Sequence, residues 1–445
     1  MSETETTSTG AGADDVVDEL RTWLDENWDP DLTVGEWWQR LGLAGWAAPG
    51  LPTNAYGRAL SRNDAVRVQT EIAAHGALSA PGGLGLLLAA PTIATHGTQE
   101  QIDLYVRDIV TGQKAWCQLF SEPGAGSDLA GLTCKAELDG DEWTINGQKV
   151  WTSFGSIADL GMLIARTDPE QPKHQGITWF AFDMHQDGVD VRPLVEMTGH
   201  ALFNEVFLSD AKVPNDAIIG GRGNGWAVAN TTLMHERSGL GSGGGSAAAG
   251  SATPGTIADQ LDKRAGDFVA APGKKKKRSS GTGAPIGGIG SKLLIDLAKG
   301  NGSIEDPSIR QDLVKLHTLG EIGRFNNLRL KAAKKAGQDI PGFGNLAKLG
   351  MSDIMRLTRD VGLRILGPAG MLHAYTPEQK DPIDEATGNP FNAMVTGIAL
   401  WAQGPPIYGG TDQIQRNIIG ERVLGLPKEP GDTKGVPFSQ LPRNA

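Results

Sequence analysis

Trp116-Cys117-Gln118-Leu119-Phe120-Ser121-Glu122-Pro123-Gly124-Ala125-Gly126-Ser127-Asp128 is where the pattern of this chain changes. Before it, apolar residues recur at helical spacing, as in Val16, Leu20 and Leu24, and again in Ile102, Tyr105 and Ile109. After it come short strand-like runs at Leu160–Arg166, Ile177–Met184, Val189–Leu194 and Glu205–Leu208. Asn146-Gly147, between Glu142–Ile145 and Gln148–Trp151, predicts a β-hairpin, because that dipeptide suits a tight turn with two positive-φ residues. Beyond Gly225 helical spacing returns. Asp306-Pro307 opens a helix carrying Ile309, Leu313, Leu316 and Leu319 on one stripe, and further helices are expected near 346–366, 391–402 and 412–424. Helices, then strands, then helices is an α+β order, with the strands forming a small barrel or sandwich.

The 445 residues suit two or three packed domains. A net charge of −11 counts against a general nucleic-acid binder, since phosphate backbones demand basic surface. Cys117 and Cys134 have no metal-ligand spacing and imply no disulfide framework, which suits a reducing cytoplasm. Residues 1–14 read as a disordered tail without signal-peptide character. The longest apolar run, Leu84–Ala90, is too short to span a bilayer. The expected boundaries are 15–115 for an N-terminal helical domain, 116–222 for a β-barrel domain and 223–430 for a C-terminal helical bundle, with a tail at 431–445. Within the last domain, 241–291 is rich in Gly, Ser and Ala. Ile257, Leu261, Ala265 and Phe268 predict a short helix in this otherwise flexible excursion, and Lys274–Arg278 reads as a solvated basic loop.

Chemistry concentrates around the opening stretch. Small residues after Pro123 leave backbone N–H groups bare, and Ser121 and Ser127 add hydroxyls that suit a carbonyl-rich ring or a phosphate. In Trp151-Thr152-Ser153 an indole can flank a planar cofactor while hydroxyls bond its edge.

The run from Trp116 to Asp128, continued by Asn146-Gly147-Gln148-Lys149-Val150-Trp151-Thr152-Ser153, resembles the signature of acyl-CoA dehydrogenases. So does Tyr408-Gly409-Gly410-Thr411-Asp412-Gln413-Ile414-Gln415-Arg416-Asn417-Ile418-Ile419, and the likeness extends over about residues 15–430. It implies an N-terminal helical domain, a middle β-barrel and a C-terminal four-helix bundle that bind FAD. By position, Leu119, Ser121, Gly126 and Ser127 would contact the flavin or the acyl thioester, and Trp151 and Ser153 would lie by the isoalloxazine ring. Thr411 and Gln413 would contact FAD, and Arg310 would reach the pyrophosphate on a neighbouring subunit. Tyr408 and Gly409 fall beside the substrate. The family's Gln-x-x-Gly-Gly contact reads Arg364-Ile365-Leu366-Gly367-Pro368 here, without the Gln.

The implied reaction removes an α-proton from an acyl-CoA and sends a hydride from the β-carbon to flavin N5, giving a trans-2-enoyl-CoA. That needs a carboxylate base. Many members carry it just after the C-terminal Tyr, where this chain has Gly409. The isovaleryl and long-chain enzymes carry it in a Glu-Arg pair on the first long C-terminal-domain helix, which corresponds to Glu236-Arg237 here. At ~100° per residue Glu236 falls in the apolar stripe of Ala229, Leu233 and Leu240. Arg237 lines the acyl pocket or is structural. The resemblance further implies a homodimer or homotetramer, or a heteromer, and an electron-transfer flavoprotein as electron acceptor. Three other readings remain: a non-catalytic partner subunit, a DNA-binding relative resting on Lys274–Arg278, and an acyl-CoA oxidase.

Overall fold

The computed structural model describes residues 11–240, 252–269, 291–338, 340–428 and 435–442. Residues 1–10 of the expected tail, the basic run Lys274–Arg278 and the Arg237 side chain lie outside what it describes. Six helices build the N-terminal part: α1 (Ala11–Asn27), α2 (Val34–Leu43), α3 (Arg62–His75), α4 (Ala90–His96), α5 (Gln99–Gln101) and α6 (Arg107–Val110). π-helical turns at Gly85–Ala89 and Ile102–Val106 lead into α4 and α6. A capping box opens α2: the Thr33 hydroxyl accepts from the Glu36 N–H, and the Glu36 carboxylate accepts from the Thr33 N–H. Trp37 and Trp38 on α2 are fully buried, and their indole N–H groups donate to the Leu78 and Ser79 carbonyls at 2.7 and 2.8 Å.

The middle region is an eight-stranded sheet: β1 (Trp116–Leu119), β2 (Lys135–Asp139), β3 (Glu142–Ser153), β4 (Leu160–Arg166), β5 (Ile177–Asp183), β6 (Val189–Leu194), β7 (Phe203–Pro214) and β8 (Ile218–Ile219). The strand order is β6-β7-β3-β2-β4-β5-β8, with β1 pairing parallel to β4. Both faces of β4 are buried, which suits its unbroken apolar run.

The Asn146-Gly147 hairpin does not exist. β3 runs straight through it, and the tight turn is at Gly140, where φ is +62° and Asp139 pairs with Glu142. Gly147 serves close approach instead: a Cβ there would meet the Cys134 Cβ at 2.7 Å.

The C-terminal region holds α7 (Gly225–Leu240), α8 (Ser291–Gly300), α9 (Pro307–Lys335), α10 (Phe343–Leu366), α11 (Pro377–Thr387), α12 (Asn392–Trp401) and α13 (Asp412–Ile418). Two apolar cores result. One joins the N-terminal helices, the sheet, and Val228 and Ala229 of α7; the other joins α8, α9, α10 and α12 through Leu294, Leu313, Val361 and Ile398. α7 thus packs with the first core, although its sequence position placed it in the C-terminal bundle.

Residues 252–269 correct the expected excursion. They form neither an α-helix nor a free loop: turns and a 3-10 turn at Ala265–Phe268 lie against the N-terminal helices. The Leu261 and Lys263 carbonyls accept from Gly35 and Val34 at 2.8 Å each, satisfying the bare N–H groups at the start of α2. The Ala252 and Ala265 side chains are buried in the first core.

Candidate active site

The site is built on one buried ion pair. Along β3 the side chains of Trp143, Ile145 and Lys149 share the inward face, so the lysine is carried into the core and is fully buried. Its Nζ lies 2.8 Å from Glu122 Oε1 and 3.2 Å from the Phe120 carbonyl. Glu122 also accepts from the Thr133 N–H and hydroxyl and the Cys134 N–H at 2.7–2.9 Å. Burial would raise the Glu122 carboxyl, but the Lys149 ammonium and these donors outweigh it and hold it below the usual carboxylate range. The pair binds the end of β1 to β3, and Val150 donates to the Ser121 carbonyl at 2.9 Å beside it.

Two surface segments are thereby joined. The first is the turn at Glu122–Ala125 and the exposed residues after it, Gly126 and Ser127. The N–H groups of Gly126 and Ser127 have no partner among the described residues. The second is the end of β3. A bulge between Lys149 and Thr152 shifts the register there, and Trp151 takes a left-handed backbone with φ +61°. The bulge turns its indole outward, so Trp151 is 56% exposed and rests edge-on against Phe203. Phe154, at φ +60°, is 50% exposed nearby. A large apolar ring held out of the core in a sparsely populated backbone state points to a ligand-facing role. Bare backbone donors beside an exposed indole and the half-buried Ser153 fit a flat heterocycle with a polar edge.

Glu236 reaches the strand that leads into this turn. Val228, Ala229 and Thr232 form the buried face of α7, and Glu236 continues it one turn past Thr232. That face packs on α4, where the Thr232 and Thr92 hydroxyls are 3.1 Å apart. Glu236 is half-buried, and Gln118 Nε2 on β1 lies 3.5 Å from its carboxylate. Gln118 is one residue from Leu119, which is fully buried. The strand end therefore connects the carboxylate to the turn that begins at Ser121.

A cavity of about 230 Å³ is bounded by Trp116, two residues before Gln118 on β1. It is lined by Leu84, Leu86, Trp116, Phe154, Ala252 and Pro254 among others. Trp116 and Gln118 alternate on β1 and share a face, so the cavity and the carboxylate border the same strand.

The other expected residues sit in the second core's unit. Thr411 caps α13 by accepting from the Ile414 N–H, Gln413 is exposed, and the Gly409 carbonyl accepts from Gln415 at 2.8 Å. Tyr408 is half-buried beside Trp401. Arg310 is exposed and donates to the Ile304 and Glu305 carbonyls at its own helix start. Asp412 anchors the Tyr408–Gln413 turn: it is buried against Lys348, Ser352 and Arg356 of α10.

Sequence reasoning missed the Glu122–Lys149 pair, Gln118, Phe154 and the cavity. Strand alternation could have revealed the first, since Lys149 falls in the inward series of Trp143 and Ile145. The cavity had no sequence signal.

The chain matches family models for the N-terminal domain (residues 11–113), middle domain (117–211) and C-terminal domain (295–424) of acyl-CoA dehydrogenases. The acyl-CoA dehydrogenase IpdE1 of Mycobacterium tuberculosis is 33% identical over 393 residues, covering 88% of each chain. FadE34, an acyl-CoA dehydrogenase of the same organism, is 35% identical over 87% of this chain and 46% of its own length. Among solved structures, the Tcur3481-Tcur3483 steroid ACAD superposes with a TM-score of 0.64 at 25% identity, over 96% of this chain and all of that one. The ChsE4-ChsE5 complex from Mycobacterium tuberculosis gives 0.63 at 25% identity, again over 96% and 100%.

Proposed function

The chain belongs to the acyl-CoA dehydrogenase family of FAD-dependent oxidoreductases, and we propose that it desaturates an acyl-CoA at the α,β position with Glu236 as the base. The observation that carries this reading is the carboxylate of α7 held beside Gln118, on the strand that leads into the Ser121–Ser127 turn.

Glu236 takes the α-proton and keeps it on its carboxylate. Gln118, a neutral amide, orients that carboxylate without neutralising it. The N–H groups of Gly126 and Ser127 and the hydroxyls of Ser121, Ser127 and Ser153 are the candidate donors to the cofactor edge or the thioester carbonyl, where enolate-like charge develops. Trp151 and Phe154 would cover the cofactor ring and shield it from water, and FAD held there would supply the hydride acceptor for the β-carbon. The cavity beside Trp116 takes the acyl group, and Tyr408, Gly409 and Arg237 remain candidates for its approach. Thr411 and Gln413 are proposed to contact FAD, and Arg310 to reach the FAD of a neighbouring subunit, whether that partner is a second copy or a related chain. The two solved relatives, Tcur3481-Tcur3483 and the ChsE4-ChsE5 complex, each pair two different chains, which supports a heteromer. The Tcur3481-Tcur3483 relative is a steroid ACAD, which supports an alicyclic acyl group here. An electron-transfer flavoprotein is the proposed electron acceptor. Among the described residues no helix is long and apolar enough to cross a membrane.

The test is anaerobic bleaching of the FAD-loaded protein by acyl-CoAs, from short and branched to long and steroid-derived. Bleaching within seconds by at least one is expected. Bound flavin that none of them bleaches would instead indicate a non-catalytic subunit.

A further inference from the structure

The strap at 252–269 falls in the interval 212–294, between the segments matched by the family's middle and C-terminal domains. Its docking is nonetheless extensive. Beyond its bonds to α2, the Gly255 N–H donates to the Gly112 carbonyl at 3.0 Å, and Arg264 pairs with Asp31. Gly255 has φ +95°, and a Cβ there would meet Ala115 at 2.6 Å and Asp159 at 2.7 Å. The strap can approach the sheet this closely only with glycine at that position. Next to it, the Thr256 hydroxyl donates to the carboxylate of Asp159, which is 1% exposed. Asp159 also accepts from the Ala115 N–H at 2.7 Å, so one buried carboxylate fastens the strap to the residue that precedes β1.

This fastening fixes Ala252, Thr253 and Pro254 as one wall of the cavity, whose other walls include Leu84–Leu86, Lys114, Trp116 and Phe154. We propose that this wall sets which acyl group the enzyme accepts, limiting it to a compact branched or alicyclic group. The size follows from the volume. An apolar cavity of about 150 Å³ holds a benzene ring, so by proportion about nine carbons fit in 230 Å³. An extended long chain would have to displace Pro254 or leave the cavity. The proposal rests on the assignment of this cavity to the acyl group, made above from Trp116, which lines it and lies two residues from the Gln118 that faces Glu236.

S-alkyl-CoA thioethers test it independently of catalysis, because they lack the carbonyl that acidifies an α-proton. Their binding to the FAD-loaded protein is measured by titration calorimetry across S-butyl, S-octyl and S-hexadecyl. Native protein is expected to bind S-octyl most tightly and S-hexadecyl at least tenfold more weakly. Ala252→Phe, which fills the cavity, should weaken S-octyl at least tenfold while leaving S-butyl within about twofold. Thr256→Val, which removes the strap's hydroxyl bond, should narrow the gap between S-octyl and S-hexadecyl; it stands as the second variant should the phenylalanine prevent folding. Tighter binding of S-hexadecyl than S-octyl by the native protein overturns the proposal. So does an unchanged length profile in either variant when FAD content is native. Glu236→Gln should keep the native profile, so an error over the base shows in bleaching and an error over the wall shows here.

Discussion

Lys149→Met removes the cation that Glu122 faces in the core. Both groups are inaccessible or nearly so, with Lys149 at 0% and Glu122 at 6% exposure. Deleting one partner of a buried pair costs about 3–5 kcal/mol, most of it from the charge left behind. Glu122 keeps its donors from Thr133 and Cys134, so the lower end applies, about 3 kcal/mol. For a cooperative unit of roughly 200 residues that is a fall in Tm of about 6–12 °C. The pH dependence has a defined sign. In the native protein the Glu122 pKa is depressed, so its contribution is complete above the ordinary carboxylate pKa of about 4.3 and is lost as pH falls through the folded value. In the variant, burial without Lys149 raises the Glu122 pKa, so protonation on acidification relieves the cost. The Tm gap should therefore be widest near pH 7 and narrow toward pH 4. Differential scanning fluorimetry at several pH values measures it, with flavin absorbance read alongside because the Ser121–Ser127 turn is the proposed flavin contact. A gap under about 2 °C at pH 7, or one that widens on acidification, would refute the reasoning.

Trp151→Ala should leave the stability of the flavin-free protein within about 1 kcal/mol, because the indole is exposed and meets Phe203 only edge-on. It should weaken FAD retention about two- to tenfold, the worth of one aromatic contact, as read by flavin release during dilution. Asp412→Asn should destabilise the C-terminal core by about 2 kcal/mol, because Lys348 and Arg356 lose their shared carboxylate but Arg356 still reaches water. Burial would raise the Asp412 pKa, but Lys348, Ser352 and Arg356 bring it below the usual range. The stability difference, measured by urea denaturation, should therefore be full above pH ~4 and shrink as pH falls below it.

Much of the architecture was legible because burial wrote itself into the pattern. β4 and β6 begin and end where their apolar or alternating runs do, and α9 starts at Pro307 as its helix-start signal indicates. The failures have physical causes. Asn-Gly signals a turn only when the chain needs one, and here the glycine lets β3 pass against Cys134. Ile257, Leu261, Ala265 and Phe268 keep a helical period. Yet the backbone between them spends its carbonyls on the first turn of α2, a tertiary contact no local pattern records. At the site, the Gly-rich turn and Trp151 were readable as motifs. The reason they meet was not, since it lies in an ion pair across 27 residues. Arg310, Thr411 and Gln413 were placed by resemblance, and within this chain their described contacts stay in their own unit.

Glu236→Gln tests the proposed chemistry most directly. The amide keeps the size of the side chain and its neighbour Gln118 but cannot accept the proton. The variant should hold FAD as the native protein does, while its rate of anaerobic bleaching by the best acyl-CoA falls at least about 10³-fold, within the range attributed to general-base catalysis. Bleaching within tenfold of the native rate would show that the α-proton goes elsewhere.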